Sequence, residues 1–252
     1  MENKKVLMII PAYNEQDNII RVVEKIKKNY PQYDYIIVND GSIDHTSRRC
    51  HKKGYNIIDL PINLGLAGAF QTGLKYAYFH GYEYAIQFDA DGQHKPEYIN
   101  AMFEKMQQGY DIIIGSRFVD KKKEISLRML GSVVLSLAIW LTTGKRVTDP
   151  TSGMRMFNRD MIREFALSIN YGPEPDTISY LLKQGANVAE VQVEMEERIS
   201  GESYLNMSTA VLYMIRMLIS IFFIQNFRKR DGRFREKRNL AIKDDVREEN
   251  HV

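Results

Sequence analysis

The 252-residue sequence predicts an α/β fold, a mostly parallel sheet with helices on both faces. Three observations carry that expectation. Short apolar runs recur through the first half, stretches of helical spacing separate them, and the runs end in polar or glycine-containing clusters. Strands buried on both faces read as continuous apolar runs, and regular alternation with helices joins them in parallel.

Val6 to Ile10 is the first run, ending at Pro11. Ile19, Ile20, Val22, Val23 and Ile26 then fall at helical spacing, so 18–26 reads as a helix. Tyr35 to Val38 is the second run and closes on Asn39-Asp40-Gly41-Ser42; a polar helical stretch follows to Gly54. Tyr55 to Leu60 is a third strand, 67–78 a helix, Tyr84 to Phe88 a fourth strand, 96–106 a helix, and Asp111 to Ile114 a fifth strand before Gly115-Ser116-Arg117. No fixed-period repeat is visible.

The length bounds one domain with decoration. Hydrophobic residues at 44% and charged residues at 27% exclude wholesale disorder. A net charge of +3 is too small to mark a nucleic-acid binder, so no nucleic-acid partner is expected. The one cysteine, Cys50, lies among Arg48, Arg49, Lys52 and Lys53 and reads as a partly exposed helical thiol, which suits a reducing compartment. The apolar stretch at the N-terminus is too short for a signal peptide, so the domain is expected in the cytoplasm.

In parallel sheets, ligands bind outside the carboxyl ends of the strands. The polar clusters sit there: Tyr13-Asn14-Glu15, Asn39-Asp40, Asp89 to Asp91, and Arg117. No G-x-G-x-x-G follows the first strand, and G-x-x-x-x-G-K-[ST], H-E-x-x-H and paired C-x-x-C are absent. What remains is Asp89-Ala90-Asp91, followed by Gly92-Gln93-His94. Two carboxylates two residues apart in an extended turn can reach one hard cation, leaving its other positions to phosphate oxygens.

Jointly, Ile10-Pro11-Ala12-Tyr13-Asn14-Glu15, Val38-Asn39-Asp40-Gly41-Ser42 and Asp89-Ala90-Asp91-Gly92-Gln93-His94 resemble the signature of family 2 inverting glycosyltransferases of GT-A fold. Asn63-Leu64-Gly65, Gly115-Ser116-Arg117, the segment Asp149 to Arg155 and the segment Arg198 to Tyr204 extend the match over about 5–205. The last two are similar to the subgroup of dolichyl- and polyprenyl-phosphate sugar synthases. The segment Tyr171 to Asp176 departs from that subgroup's pattern.

The resemblance implies a Rossmann-like GT-A sheet, a nucleotide diphosphate sugar donor, a Mg²⁺ or Mn²⁺ cofactor, and a polyprenyl phosphate or growing-glycan acceptor. Pro11, Tyr13, Glu15, Val38 and Asp40 would hold base and ribose. Asp91 would be the primary metal ligand, with Asp89, Ala90 and Gln93 at the metal or diphosphate. Arg117 and Arg198 would neutralise diphosphate charge, Arg198 at the catalytic centre; Arg155 would bind an acceptor phosphate or support the fold. Asp176 is the best candidate for a general base, with helix N-cap as its competing reading. His94 receives no role. A nucleotidyltransferase or a non-catalytic nucleotide-binding regulator would use the same sheet and aspartates.

The second half turns toward a surface. In 129–143, Arg128, Ser132 and Ser136 form a polar stripe on an apolar helix too short to span a bilayer. It fits an in-plane interfacial helix, or one buried in the core or an oligomer interface. Over 205–227, nine Val, Leu, Ile and Phe residues between Val211 and Ile224 favour insertion by about 3–5 kcal/mol, and Arg216 opposes it by about 2.5–3.5. Thr209, Tyr213, Arg216 and Ser220 share a stripe, and the basic run Arg228 to Arg238 prefers the cytoplasmic side. The expected organisation is a catalytic domain at 1–204, divided near 118, an amphipathic helix at 205–230 and a charged, disordered tail at 231–252. A peripheral association with the inner membrane face is expected, or a homo-oligomer through the apolar helices.

Overall fold

Alternation along β1 (Val6–Ala12) sets the position of the core. Leu7 and Ile9 face one apolar cluster, while Val6, Met8, Ile10 and Ala12 face another, so the strand is buried on both sides. The computed structural model describes residues 6–120, 127–167, 172–196 and 207–227. β1 is joined by β2 (Asp34–Asn39), β3 (Ile57–Asp59), β4 (Tyr84–Gln87), β5 (Ile112–Ser116), β6 (Arg155–Phe157) and β7 (Val188–Gln192). They form one seven-stranded sheet in the order β3-β2-β1-β4-β6-β5-β7. Pairings are parallel except those of β6, which runs antiparallel between β4 and β5.

Helices cover both faces. On one side lie α1 (Ile19–Asn29), α2 (Thr46–Lys52) and α4 (Ile99–Met106), through residues such as Val23, Cys50 and Met102. On the other lie α3 (Gly65–Phe79), α5 (Leu127–Thr143), α6 (Arg159–Leu167) and α7 (Pro175–Lys183), through Phe70, Leu135, Phe165 and Leu181. The rings of Phe70, Phe157 and Phe165 meet in tilted and edge-to-face contacts, which ties α3 and α6 to the sheet.

The five expected strands and the helices between them are present. β6, β7 and α6 were not expected. Cys50 corrects the reading of an exposed thiol: it is fully buried under α1, and burial pushes the thiol up to about 11.

The C-terminal segment is helical but interrupted. α8 (Met207–Ile219) passes through a π turn at Ser220–Ile224 into α9 (Gln225–Phe227). No helix among the described residues is long and apolar enough to cross a membrane. In α5 the small polar side chains point inward: Ser132 is buried, and Ser136 Oγ donates to the carbonyl of Val147. Leu130, Val133, Leu137, Trp140 and Leu141 face outward. At the C-terminus Met217, Ser220 and Ile221 are buried, while Leu212, Ile215, Ile219 and Phe223 are exposed, as is Arg216. The basic run from Arg228 lies outside the described residues.

Candidate active site

Because β2, β1 and β4 are parallel neighbours, their carboxyl ends deliver three polar loops to one edge. The first two are stitched together. Asn14 adopts a positive φ of 56°, a region that Asn tolerates better than most residues. Its backbone N–H donates to Ser42 Oγ (2.9 Å), and its Oδ1 accepts the N–H of Ile43 (3.0 Å). Glu15 N–H donates to Thr46 Oγ1, and Asn18 Nδ2 donates to Glu15 Oε2, so Glu15 fixes the start of α1. Pro11 pairs with Val38 across β1 and β2, and Tyr13, half-buried, follows just beyond.

Asp40 continues this ladder, donating its N–H to the Ala12 carbonyl. It is buried, and its Oδ1 accepts the N–H of Leu64 at 2.7 Å. The closeness of that loop explains Gly41. At its φ of 66° a Cβ would lie 2.6 Å from the Ile62 carbonyl carbon, so no other residue fits without moving the backbone.

Asp89, Ala90 and Asp91 follow β4 after Phe88. Ala90 and Asp91 are buried. Asp91 Oδ1 accepts the N–H of Gln93 (3.0 Å), which folds the turn back on itself. Gln93 Nε2 reaches toward the Glu196 carbonyl at 3.5 Å. His94 is buried beneath this turn, its ring edge-on to Phe88. Its Nδ1 accepts the N–H of Asp89 (2.9 Å), leaving the ring proton on Nε2, 3.5 Å from Asp89 Oδ2.

β6 brings a fourth loop to the same edge. As it runs antiparallel, the segment before it lies beside the carboxyl ends of β4 and β5. There Arg117, just past β5, grips Asp149 in a two-bonded pair, Nε to Oδ2 at 2.7 Å and Nη2 to Oδ1 at 2.8 Å. Burial alone would raise the Asp149 carboxyl; the bonds and charge of Arg117 outweigh it and hold it below the usual carboxylate range. Glu190 on β7 accepts the N–H groups of Thr148 and Asp149, fixing the loop from the other side. Arg155 is 1% exposed and donates to the carbonyls of Ser152 (2.9 Å) and Pro150 (2.7 Å), while burial brings it down to about 10. Of its two sequence readings, support of the fold is the one these contacts match.

Asp176 is not a helix cap. Glu174 occupies the cap position of α7, Pro175 is the first helical residue, and Asp176 sits in the first turn. Its Oδ2 accepts from Ser220 Oγ at 2.6 Å, joining α7 to the π turn. Arg198 lies outside the described residues, as does the segment around it. Sequence reasoning passed over three groups. Gln87 and His94 both contact Asp89, and Glu190 anchors the loop of Asp149. His94 was visible beside the aspartates; Gln87 and Glu190 carry no local signal, because their partners are set by strand pairing.

Asp89 and Asp91 are the pair that fits a divalent cation. Among the described residues no three His, Cys, Asp or Glu side chains gather into a cage. Two carboxylates beside open positions suit a Mg²⁺-type ion that also takes diphosphate oxygens.

A mostly parallel sheet with paired aspartates after its fourth strand and a buried aspartate after its second is the GT-A architecture. The chain belongs to glycosyl transferase family 2, whose model matches residues 8–165. It is 29% identical over 214 residues to an undecaprenyl-phosphate mannosyltransferase of Micrococcus luteus, covering 80% of this chain and 88% of that one. It is 31% identical over 218 residues to a UDP-N-acetylglucosamine–dolichyl-phosphate N-acetylglucosaminyltransferase of Methanococcus voltae, covering 77% and 86%. Among solved structures it resembles glucosyl-3-phosphoglycerate synthase of Mycobacterium tuberculosis, in complex with Mn²⁺, UDP-glucose and phosphoglyceric acid. That match has a TM-score of 0.65 at 18% identity and covers 86% of this chain and 79% of the other.

Proposed function

We propose that this glycosyltransferase moves a sugar from a nucleotide diphosphate sugar to a polyprenyl phosphate at the cytoplasmic face of a membrane, with inversion and with Mg²⁺ or Mn²⁺. The observation that carries the reading is the convergence of Asp40, Asp89 and Asp91 on one sheet edge. Pro11, Tyr13, Glu15, Val38 and Asp40 hold base and ribose. Asp89 and Asp91 would hold the metal, with Ala90 and Gln93 at the diphosphate. Bound there, it would supply positive charge to the departing diphosphate. Arg198 adds to it, while Arg117, paired with Asp149, shapes the loop beside it.

Two features support a lipid phosphate acceptor. The relatives named above act on undecaprenyl and dolichyl phosphates by their names. The outward apolar faces of α5 and of the C-terminal helix suit a membrane surface. A phosphate monoester is already mostly dianionic at pH 7, so its oxygen attacks without a general base. Asp176, bonded to Ser220, then has no proton to take.

The test is transfer of radiolabel from UDP-, GDP- and dTDP-sugars into the organic phase with polyprenyl phosphate and Mn²⁺. Chelation should stop it, and Asp91→Asn should lower kcat by roughly 10²-fold or more, the scale of losing one charge-stabilising group. An Asp91→Asn enzyme with most of its kcat and no need of metal would overturn the assignment.

A further inference from the structure

Asp89 is held from behind by groups that no motif announces. Gln87, on β4 and 1% exposed, donates from Nε2 to Asp89 Oδ1 at 3.1 Å. Its own Oε1 is buried with no hydrogen-bond partner among the described residues. An amide with one end unpaired in a core costs stability, so its presence at this position needs another reason. His94 adds two contacts: it accepts the Asp89 N–H and sets its Nε2 3.5 Å from Oδ2. The third wall is Gly153. A Cβ there would lie 2.7 Å from Asp89 Oδ2 and 3.4 Å from His94 Cε1. Gly153 is itself fixed, because Ser152 Oγ donates to the Gly115 carbonyl and Arg155 to the Ser152 carbonyl.

We infer that Gln87, His94 and Gly153 form a positioning clamp that fixes the Asp89 carboxylate for the divalent ion. None of the three touches the ion in this scheme; they restrict the rotation of a ligand that does, as outer partners of metal ligands do elsewhere. The inference rests on the metal reading above. It explains why a buried amide is kept half-satisfied and why a loop 64 residues further along the chain presents glycine at this point.

The test is Mn²⁺ binding followed by electron paramagnetic resonance, with saturating UDP and, separately, GDP, alongside the melting temperature of each variant. Gln87→Met removes the unpaired amide and fills the same space. It should keep or raise the melting temperature while weakening Mn²⁺ binding roughly 10- to 100-fold. Gly153→Ala and His94→Leu should weaken it to a similar degree. His94→Asn, whose amide oxygen can accept the Asp89 N–H, should recover most of what His94→Leu loses. Asp91→Asn is the control for the metal reading itself. If it binds Mn²⁺ as the unaltered protein does, that reading fails. If it loses Mn²⁺ while folded Gln87→Met and His94→Asn or His94→Leu stay within threefold of the unaltered protein, the clamp is overturned and the metal reading stands.

Discussion

At Arg117 a guanidinium meets a carboxylate that solvent does not reach. The sequence shows Gly115-Ser116-Arg117 plainly, and a diphosphate contact is the natural reading of it. The partner, Asp149, lies 32 residues away on a loop that reaches the site only because β6 turns antiparallel. Removing one member of a buried pair leaves the other charged and unpaired. Arg117→Ala should therefore destabilise the fold by about 3 kcal/mol, the low end for such losses because Arg117 is partly exposed. The pH dependence fixes the cause. Asp149 has a folded pKa below its unfolded value of about 3.9, so its stabilisation is complete above that value and is lost as pH falls through the folded pKa. Without Arg117, burial raises the same carboxyl, so the deficit should begin to shrink above about pH 4 and go on shrinking as pH falls through the unaltered protein's folded pKa. Urea unfolding at pH 7 and at acid pH measures it; an equal deficit at both would mean that the pair contributes nothing electrostatic. Cys50 was misread for a related reason. Its basic sequence neighbours suggested a partly exposed thiol, but the helix turns Cys50, with Thr46, into the apolar cluster on this face of the sheet.

Elements with strong period were legible, and elements defined by their neighbours were not. The five mainly apolar runs announce themselves, whereas β6 has three residues and starts with arginine, and β7 is a half-buried edge strand carrying Glu190 and Gln192. The stripes on α5 and the C-terminal helix were visible, but not their direction. Ser136, Ser220 and Gln225 face the protein because polar groups wait there: Ser136 bonds the Val147 carbonyl, Ser220 and Gln225 Nε2 bond Asp176 from the π turn and α9, and Lys183 Nζ donates to the Ile221 carbonyl, while Arg216 stays exposed. Asp176 thus belongs to the seam between α7 and the C-terminal helix. Asp176→Asn keeps an oxygen acceptor for Ser220, so transfer to polyprenyl phosphate should stay within about tenfold, at most about 1.4 kcal/mol of transition-state stabilisation. A hundredfold fall in kcat with folding and donor binding intact would make Asp176 a base. The outward face has its own test. Trp140 and Phe223 are 50% and 63% exposed, so Trp140→Glu with Phe223→Glu should leave the melting temperature nearly unchanged. Sedimentation with phosphatidylglycerol vesicles should drop at least fivefold, since apolar area and surface charge both turn unfavourable. Undiminished sedimentation would assign that face to something other than lipid.

Across the whole molecule, one sheet does two jobs on two faces. Its first half presents the carboxyl ends of β1, β2 and β4 as one polar edge, and its second half inserts an antiparallel strand that returns the loop of Asp149 and Gly153 to that edge. The helices that complete the core of the second half present apolar surface outward. A soluble acceptor would need no such surface. A lipid phosphate would present its oxygen to the donor sugar while its chain stays in the bilayer. The most direct measurement is therefore a comparison of acceptors: label transferred from the preferred nucleotide sugar to undecaprenyl phosphate and to undecaprenol, in vesicles, from pH 6 to 9. The account predicts transfer to the phosphate alone, abolished by chelation, and a rate nearly flat above about pH 7, where the acceptor is already dianionic. Equal transfer to the alcohol, or a rate that keeps climbing tenfold per pH unit above 7, would contradict it and point to a hydroxyl acceptor activated by a base.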